Sequence, residues 1–139
     1  MTHQEISKQI NNNPFGEITE TIPINGKNYE FNCQWKRRID ITISPKNLLI
    51  TQTTTSEIRK LLFTSIIFRS PQYSLKGGKT ELTKKLLLNQ YTRALLYFRA
   101  SKITCQNNQI LYTAQLKKRD SAQLETIFNY FKELLNTLK

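Results

Sequence analysis

The sequence predicts one α+β domain, in which an antiparallel sheet of four to six strands packs against two or three helices. Asn25-Gly26 and Asn107-Asn108 each separate two segments in which apolar residues alternate with polar ones. Alternation with period two is typical of strands with one buried face, and Asn-Gly suits the positive φ angles of a tight hairpin. Apolar residues spaced by three and four over residues 124–138 predict a C-terminal amphipathic helix.

The domain is expected to begin after a polar segment. Residues 1–13 carry only Ile6 and Ile10 at helical spacing, so this segment is predicted to be a flexible N-terminal arm or a short helix. Pro14 ends it, because proline disfavours the helical conformation in the residue before it. Residues 14–139 are assigned to the single basic α+β domain.

A β-meander is predicted for the first half of the domain. The alternation begins at Gly16, turns at Asn25-Gly26, and continues through residues 29–35 and 39–43. Residues 48–53 are predicted to add a fourth strand after a proline-containing turn. Antiparallel strands of this composition bury one face and leave the other polar.

Two helices are predicted between the meander and the second hairpin. The first begins at Thr55 or Ser56 and carries an apolar stripe as far as Ile66, although its β-branched residues also suit a strand. The second is predicted over residues 80–101, capped by Thr80, with apolar residues on two nearly opposite sides. Such a helix lies between layers or at an interface, so helix 80–101 is the predicted contact with a second copy or a protein partner.

The second hairpin and the last helix complete the predicted order of elements. Residues 102–116 alternate in polarity around Asn107-Asn108, which predicts two further strands. Asp120 is predicted to cap the final helix, with Gln123 placed for a capping box.

The charge of this basic protein is concentrated in the middle of the chain. The 139 residues carry a net charge of +11, and residues 31–120 hold 17 of the 21 Lys and Arg but only four of the ten acidic residues. A positive field focused on one region attracts polyanions more strongly than scattered charge. The alternative is a solvated basic surface that only aids solubility.

The predicted binding residues combine cations with an aromatic side chain. Lys and Arg pair with phosphates, and aromatic rings stack on unpaired bases. Trp35 is excluded from this set because it continues the buried face of the strand before it. The candidate nucleic-acid-binding residues are Lys36, Arg37, Arg38, Arg69, Tyr73, Lys76, Lys79, Lys85, Arg99 and Lys102.

Catalytic and metal-dependent classes have little support in the sequence. Gly77-Gly78-Lys79-Thr80 matches the end of a phosphate-binding loop, but Tyr73 stands where that motif requires its first glycine. Asp40, Glu57 and Arg59 only loosely imitate a nuclease metal site. His3 is the one histidine, so nucleophilic chemistry that needs a histidine base and an ordinary zinc site are both disfavoured. No cofactor, metal or catalytic residue is predicted.

The expected compartment is reducing and cytoplasmic, or associated with the nucleoid, rather than secreted. Cys33 and Cys105 are far apart in sequence and fall on predicted inward faces, which favours buried free thiols. Neither a membrane-spanning apolar run nor a basic segment followed by an apolar one is present.

The sequence therefore predicts a non-enzymatic nucleic-acid-binding protein with little sequence specificity. DNA and RNA, and single and double strands, stay open at this stage. An assembly or adaptor subunit of a larger complex, binding an acidic protein partner, is the alternative. A metal-dependent nuclease is the third candidate.

Overall fold

Seven strands form one antiparallel sheet, which four α-helices accompany. The computed structural model describes residues 2–46, 55–60, 73–78, 80–106 and 109–138, with Lys60 and Tyr73 described by their backbones alone. The strands are β1 (Gly16–Ile24), β2 (Lys27–Trp35), β3 (Arg38–Pro45), β4 (Ser56–Lys60), β5 (Tyr73–Lys76), β6 (Arg99–Gln106) and β7 (Gln109–Lys117). The helices are α1 (His3–Asn12), α2 (Glu81–Leu88), α3 (Gln90–Leu96) and α4 (Gln123–Thr137). The predicted α+β class is confirmed, with more strands and one more helix than expected.

The strand order is β1-β2-β3-β7-β6-β4-β5, so the second hairpin pairs directly with the meander. The predicted first turn is confirmed, because Asn25 and Gly26 both have positive φ angles, of 53° and 79°. Strands β3 and β7 pair in the register Ile41 to Ala114, which brings together residues far apart in sequence. Alternate residues are buried on one continuous face of the sheet, and the other face is polar.

All four helices contribute buried side chains to the core beside this face of the sheet, and α2 contributes Leu86. Leu124, Ile127, Phe131 and Leu134 give α4 a fully buried stripe, which confirms the predicted C-terminal amphipathic helix. The Tyr112 hydroxyl in β7 donates a 2.6 Å hydrogen bond to the Leu95 carbonyl, which fixes α3 against the sheet. Helix α1 adds its buried Ile6 and Ile10.

The N-terminal segment contains the short helix α1, which contacts the rest of the domain. Thr2 and Glu5 form a capping box, and the Ser7 and Ser121 hydroxyls lie 2.7 Å apart. The His3 ring lies 4.9 Å from the Phe128 ring and 6.2 Å from the Phe31 ring, between centroids. Burial lowers the pKa of His3, and the charges of Glu125 and Glu20 partly oppose this shift.

The predicted helix 80–101 is two helices followed by a strand. The break is at Asn89, whose extended backbone (φ −85°, ψ 132°) ends α2 and begins α3. Its side-chain oxygen accepts from the Tyr91 amide at 2.9 Å, and its side-chain nitrogen donates to the Thr137 hydroxyl at 2.7 Å. Asn side chains compete with helical backbone hydrogen bonds in this way, which ends α2 at this residue. The apolar spacing continues from α2 into α3, so the spacing alone does not reveal the boundary between the two helices.

Two further predictions about helices are wrong. Residues 56–60 form strand β4, paired with β6, rather than a helix. The rest of that predicted helix, the predicted strand 48–53 and the tip Asn107-Asn108 lie outside the described residues. Asp120 ends a short 3₁₀ turn, and α4 begins at Gln123 after Ala122, which provides no side-chain cap. The predicted capping box is therefore absent.

Both cysteines are free and buried, as predicted. Burial raises the pKa of the Cys33 thiol to about 12, and the charge of Asp40 adds to this effect. Burial likewise raises the pKa of Cys105 to about 11. Both side chains therefore behave as small apolar core residues at neutral pH.

Gly77→Ala is expected to lower the free energy of unfolding by at least about 2 kcal/mol, because a side chain at this φ is strained. Gly77 has a φ of 95°, and an added Cβ would collide with the Thr55 carbonyl oxygen. The matched control is Gly78→Ala, whose Cβ would meet no atom within 4 Å. Urea unfolding of both variants measures the difference, and equal stabilities would contradict the described contact between Gly77 and the Thr55 backbone.

Candidate nucleic-acid interface

One end of the sheet gathers cationic side chains from three strands. Lys36 and Arg37 form the turn between β2 and β3, and Arg38 begins β3. Lys117 lies opposite Arg38 in the β3–β7 pairing, and Arg99 lies opposite Gln115 at the start of β6. We call this set the basic end: Lys36, Arg37, Arg38, Arg99 and Lys117.

The charges of the basic end are exposed and form no ion pair within 4.0 Å in the described ranges, although Glu17, Asp40 and Asp120 line the same surface. All five side chains are exposed. In the part of the chain that the structure describes, the ion pairs within 4.0 Å are Arg59–Glu57 and Lys84–Glu81, neither of which involves the basic end. Exposed cations without paired carboxylates retain their attraction for phosphate, weakened only by salt.

A groove of about 830 Å³ runs beside the turn between β2 and β3. Its cationic rim is formed by Lys36, Arg37 and Arg38. Glu17 and Asp40 also line it, and the Glu17 carboxylate accepts hydrogen bonds from the side-chain amides of Asn32 (2.9 Å) and Gln34 (3.3 Å). The groove lining therefore carries more positive than negative charge.

Two smaller depressions extend this groove along the surface. The first, of about 160 Å³, shares Arg38 and Gln115 with the groove and adds the cations Arg99 and Lys117 and the carboxylate of Asp120. The second, of about 490 Å³, shares Tyr97 with the first and adds Arg93. The three form one continuous surface with a cation in every part.

The wall of the groove is held rigidly by Trp35. Its side chain is only 3% exposed, which confirms the predicted packing in the core. The indole lies directly over Gly16, where an added Cβ would collide with the ring. The indole Nε1 donates to the Asn13 carbonyl at 3.2 Å, and Lys118 Nζ donates to the same oxygen at 2.8 Å. The segment that enters β1 is therefore fixed on two sides.

Two exposed aromatic side chains lie on this surface, and sequence reasoning missed both. Phe15 is 69% exposed beside the groove, and Tyr97 is 77% exposed between the two smaller depressions. Phe15 stands between Pro14 and Gly16 and outside any apolar periodicity, and this position in the sequence could have indicated an exposed ring. Tyr97 lies within the predicted helix 80–101, where its side chain is consistent with the apolar spacing of that segment.

The structure brings together Lys36, Arg37, Arg38 and Arg99 of the ten predicted binding residues. Lys102 projects from the polar face of the sheet in register with Thr113 and Arg59.

The remaining predicted residues are not gathered there. Lys76 pairs with Glu57 in the sheet register, toward the opposite end of the strands. Lys85 is exposed on α2. Arg69 and Lys79 lie outside the described residues, and only the backbone of Tyr73 is described.

The alternative catalytic constellations are not assembled. Asp40 lies in β3 and Glu57 in β4, with β7 and β6 between them. Three strand spacings of about 4.8 Å separate such carboxylates too widely for one metal ion. Within the described ranges, no three His, Cys, Asp or Glu side chains cluster closely enough to hold a metal ion. The Thr80 hydroxyl, in the Gly77–Thr80 motif, instead accepts from the Thr83 amide at 3.2 Å.

None of the described helices combines the length and apolar character needed to cross a bilayer.

No protein-family model and no curated protein matches the chain. Among solved structures, the chain is similar to the mycobacterial trehalose monomycolate transport factor A, TtfA. The two are 8% identical, and the similarity covers 99% of this chain and 94% of that chain, with a TM-score of 0.45. A similarity this distant carries no argument about the function of this chain.

Proposed function

We propose that the protein binds nucleic acid without catalysis, contacting phosphates through the basic end with little sequence preference. The observation that carries the proposal is the convergence of five exposed cations from the β2–β3 turn and from β3, β6 and β7 on one grooved surface. No carboxylate lies within ion-pair distance of these cations in the described chain.

The residue types suit phosphate more than a single carboxylate partner. Three of the five are arginines, Arg37, Arg38 and Arg99, whose planar guanidinium groups bind phosphate oxygens in a bidentate manner. Contacts to phosphate position a protein on the polymer but do not read the base sequence. Low sequence specificity therefore follows from the composition of the basic end.

Binding should weaken steeply with salt. If all five cations neutralise phosphates, the logarithm of the association constant should fall with the logarithm of salt concentration at a slope of about −4.5 for duplex DNA or about −3.5 for a single strand. Fluorescence anisotropy at several KCl concentrations measures this slope on single- and double-stranded DNA and RNA. Absent binding, or a slope near zero, would contradict the proposal.

An assembly subunit that binds an acidic protein is the second candidate. The observation that favours it is Leu88, at the end of α2, whose apolar side chain is 86% exposed and would be covered by a partner surface. The ratio of ultraviolet absorbance at 260 and 280 nm in purified protein separates the candidates. A high ratio indicates bound nucleic acid, whereas a low ratio with a co-purifying acidic protein favours the assembly role.

A further inference from the structure

We propose that the ligand is single-stranded nucleic acid, whose unpaired bases stack on Phe15 and Tyr97 while the basic end holds the intervening phosphates. This inference rests on the proposed function and names its substrate class. It starts from the two aromatic side chains, because each is more than two-thirds exposed and lines the same surface as the cations of the basic end.

The Phe15 ring is held on a fixed backbone. The Asn13 carbonyl accepts hydrogen bonds from both Trp35 and Lys118, and the Pro14 carbonyl accepts from Lys118 at 3.4 Å. Gly16, on the other side of Phe15, is covered by the Trp35 indole. The backbone on both sides of Phe15 is therefore already ordered, so stacking a base on its ring costs little further backbone entropy.

Tyr97 provides a second ring, beside the two smaller depressions and on the side of the basic end away from Phe15. It follows α3 and contacts Phe98, with ring centroids 6.1 Å apart and planes at 79°. Phe98 is half-buried against the core, which supports Tyr97 from below. The grooved surface between Phe15 and Tyr97 is lined by Arg38, Arg99 and Lys117.

An alternation of rings and cations matches the chemistry of a single strand. Each nucleotide presents an apolar base face and an anionic phosphate. Proteins bind single strands by stacking aromatic side chains on the bases and placing cationic side chains beside the phosphates. In a duplex the base faces are stacked on each other, so an exposed ring meets only sugar and phosphate. The two rings therefore add affinity for a single strand and none for a duplex.

The test compares Phe15→Ala and Tyr97→Ala with the control Leu88→Ala. Leu88 is a still more exposed apolar residue, and its side chain does not line the grooved surface. Fluorescence anisotropy measures binding to oligo(U), oligo(dT) and a duplex, each of about 12 nucleotides or base pairs, within the range of known single-strand sites. We expect each aromatic variant to lose about tenfold in affinity for the single strands, with duplex binding and the control unchanged.

The remaining outcomes separate this inference from the proposed function. Equal salt-dependent binding of single strand and duplex, unaffected by either aromatic variant, would overturn the inference and leave the proposed function standing. Absence of binding to every oligonucleotide would overturn both. Binding of oligo-glutamate of matched charge as tightly as oligo(U) would also overturn the inference, because a peptide offers carboxylates without bases.

Discussion

Replacing Arg37 and Arg38 together by Glu is expected to lower the affinity for polynucleotide on the order of a hundredfold or more at low salt. Each substitution removes a charge-assisted hydrogen bond, worth about 1.5–3 kcal/mol, and adds a repulsive carboxylate. Both side chains are exposed at the turn between β2 and β3, so the fold should be retained. Fluorescence anisotropy with a labelled oligonucleotide measures the loss.

The matched control reverses the charge of two lysines elsewhere on the surface. Lys8 in α1 and Lys132 in α4 are exposed and do not line the grooved surface, and Lys8→Glu with Lys132→Glu changes the net charge equally. We expect this variant to lose severalfold less affinity than the arginine pair, because only long-range attraction is reduced. Equal losses in the two variants would show that total charge, rather than the basic end, determines binding.

Phe131→Ala is expected to give a large loss of stability, of about 3–5 kcal/mol, as is usual for deleting a buried aromatic ring. Phe131 is fully buried in α4, and its ring centroid lies 5.6 Å from that of Tyr29 and 6.4 Å from that of Tyr112. The ring therefore connects α4 to β2 and β7, and its loss leaves a cavity between the helix and the sheet. Urea unfolding followed by circular dichroism measures the free energy.

Phe15→Ala is the control for this second prediction. It deletes the same side chain from an exposed position, where substitutions usually change stability by no more than about 0.5 kcal/mol. Comparable losses at Phe131 and Phe15 would contradict the described core, because they would require Phe15 to be buried as well.

The sheet and the last helix were predictable because their signals are local. Alternation around Asn25-Gly26 and the spacing of Leu124 to Phe131 each reflect one buried face in a short stretch of chain. The boundary at Asn89 was not predictable in the same way. Its side chain bonds to Thr137, which is 48 residues away in sequence, so periodicity within the segment could not reveal it.

The candidate interface was only partly predictable, because long-range strand pairing creates it. Arg38 and Lys117 become neighbours through the β3–β7 register, and Arg99 joins them because β6 is the next strand. Sequence reasoning instead grouped cations that are close along the chain. That procedure included Lys76, which lies toward the other end of the strands, and omitted Lys117 from the binding residues.

The most direct test of the proposed interface is the change in backbone amide NMR signals when an oligonucleotide is added. We expect the largest changes at Phe15, in residues 36–38 and around Arg99 and Lys117. The opposite end of the sheet carries Lys27, Lys46 and Lys76, which provide an internal control in the same spectrum. Changes concentrated around those three lysines, with the signals of the basic end unmoved, would contradict the proposed interface.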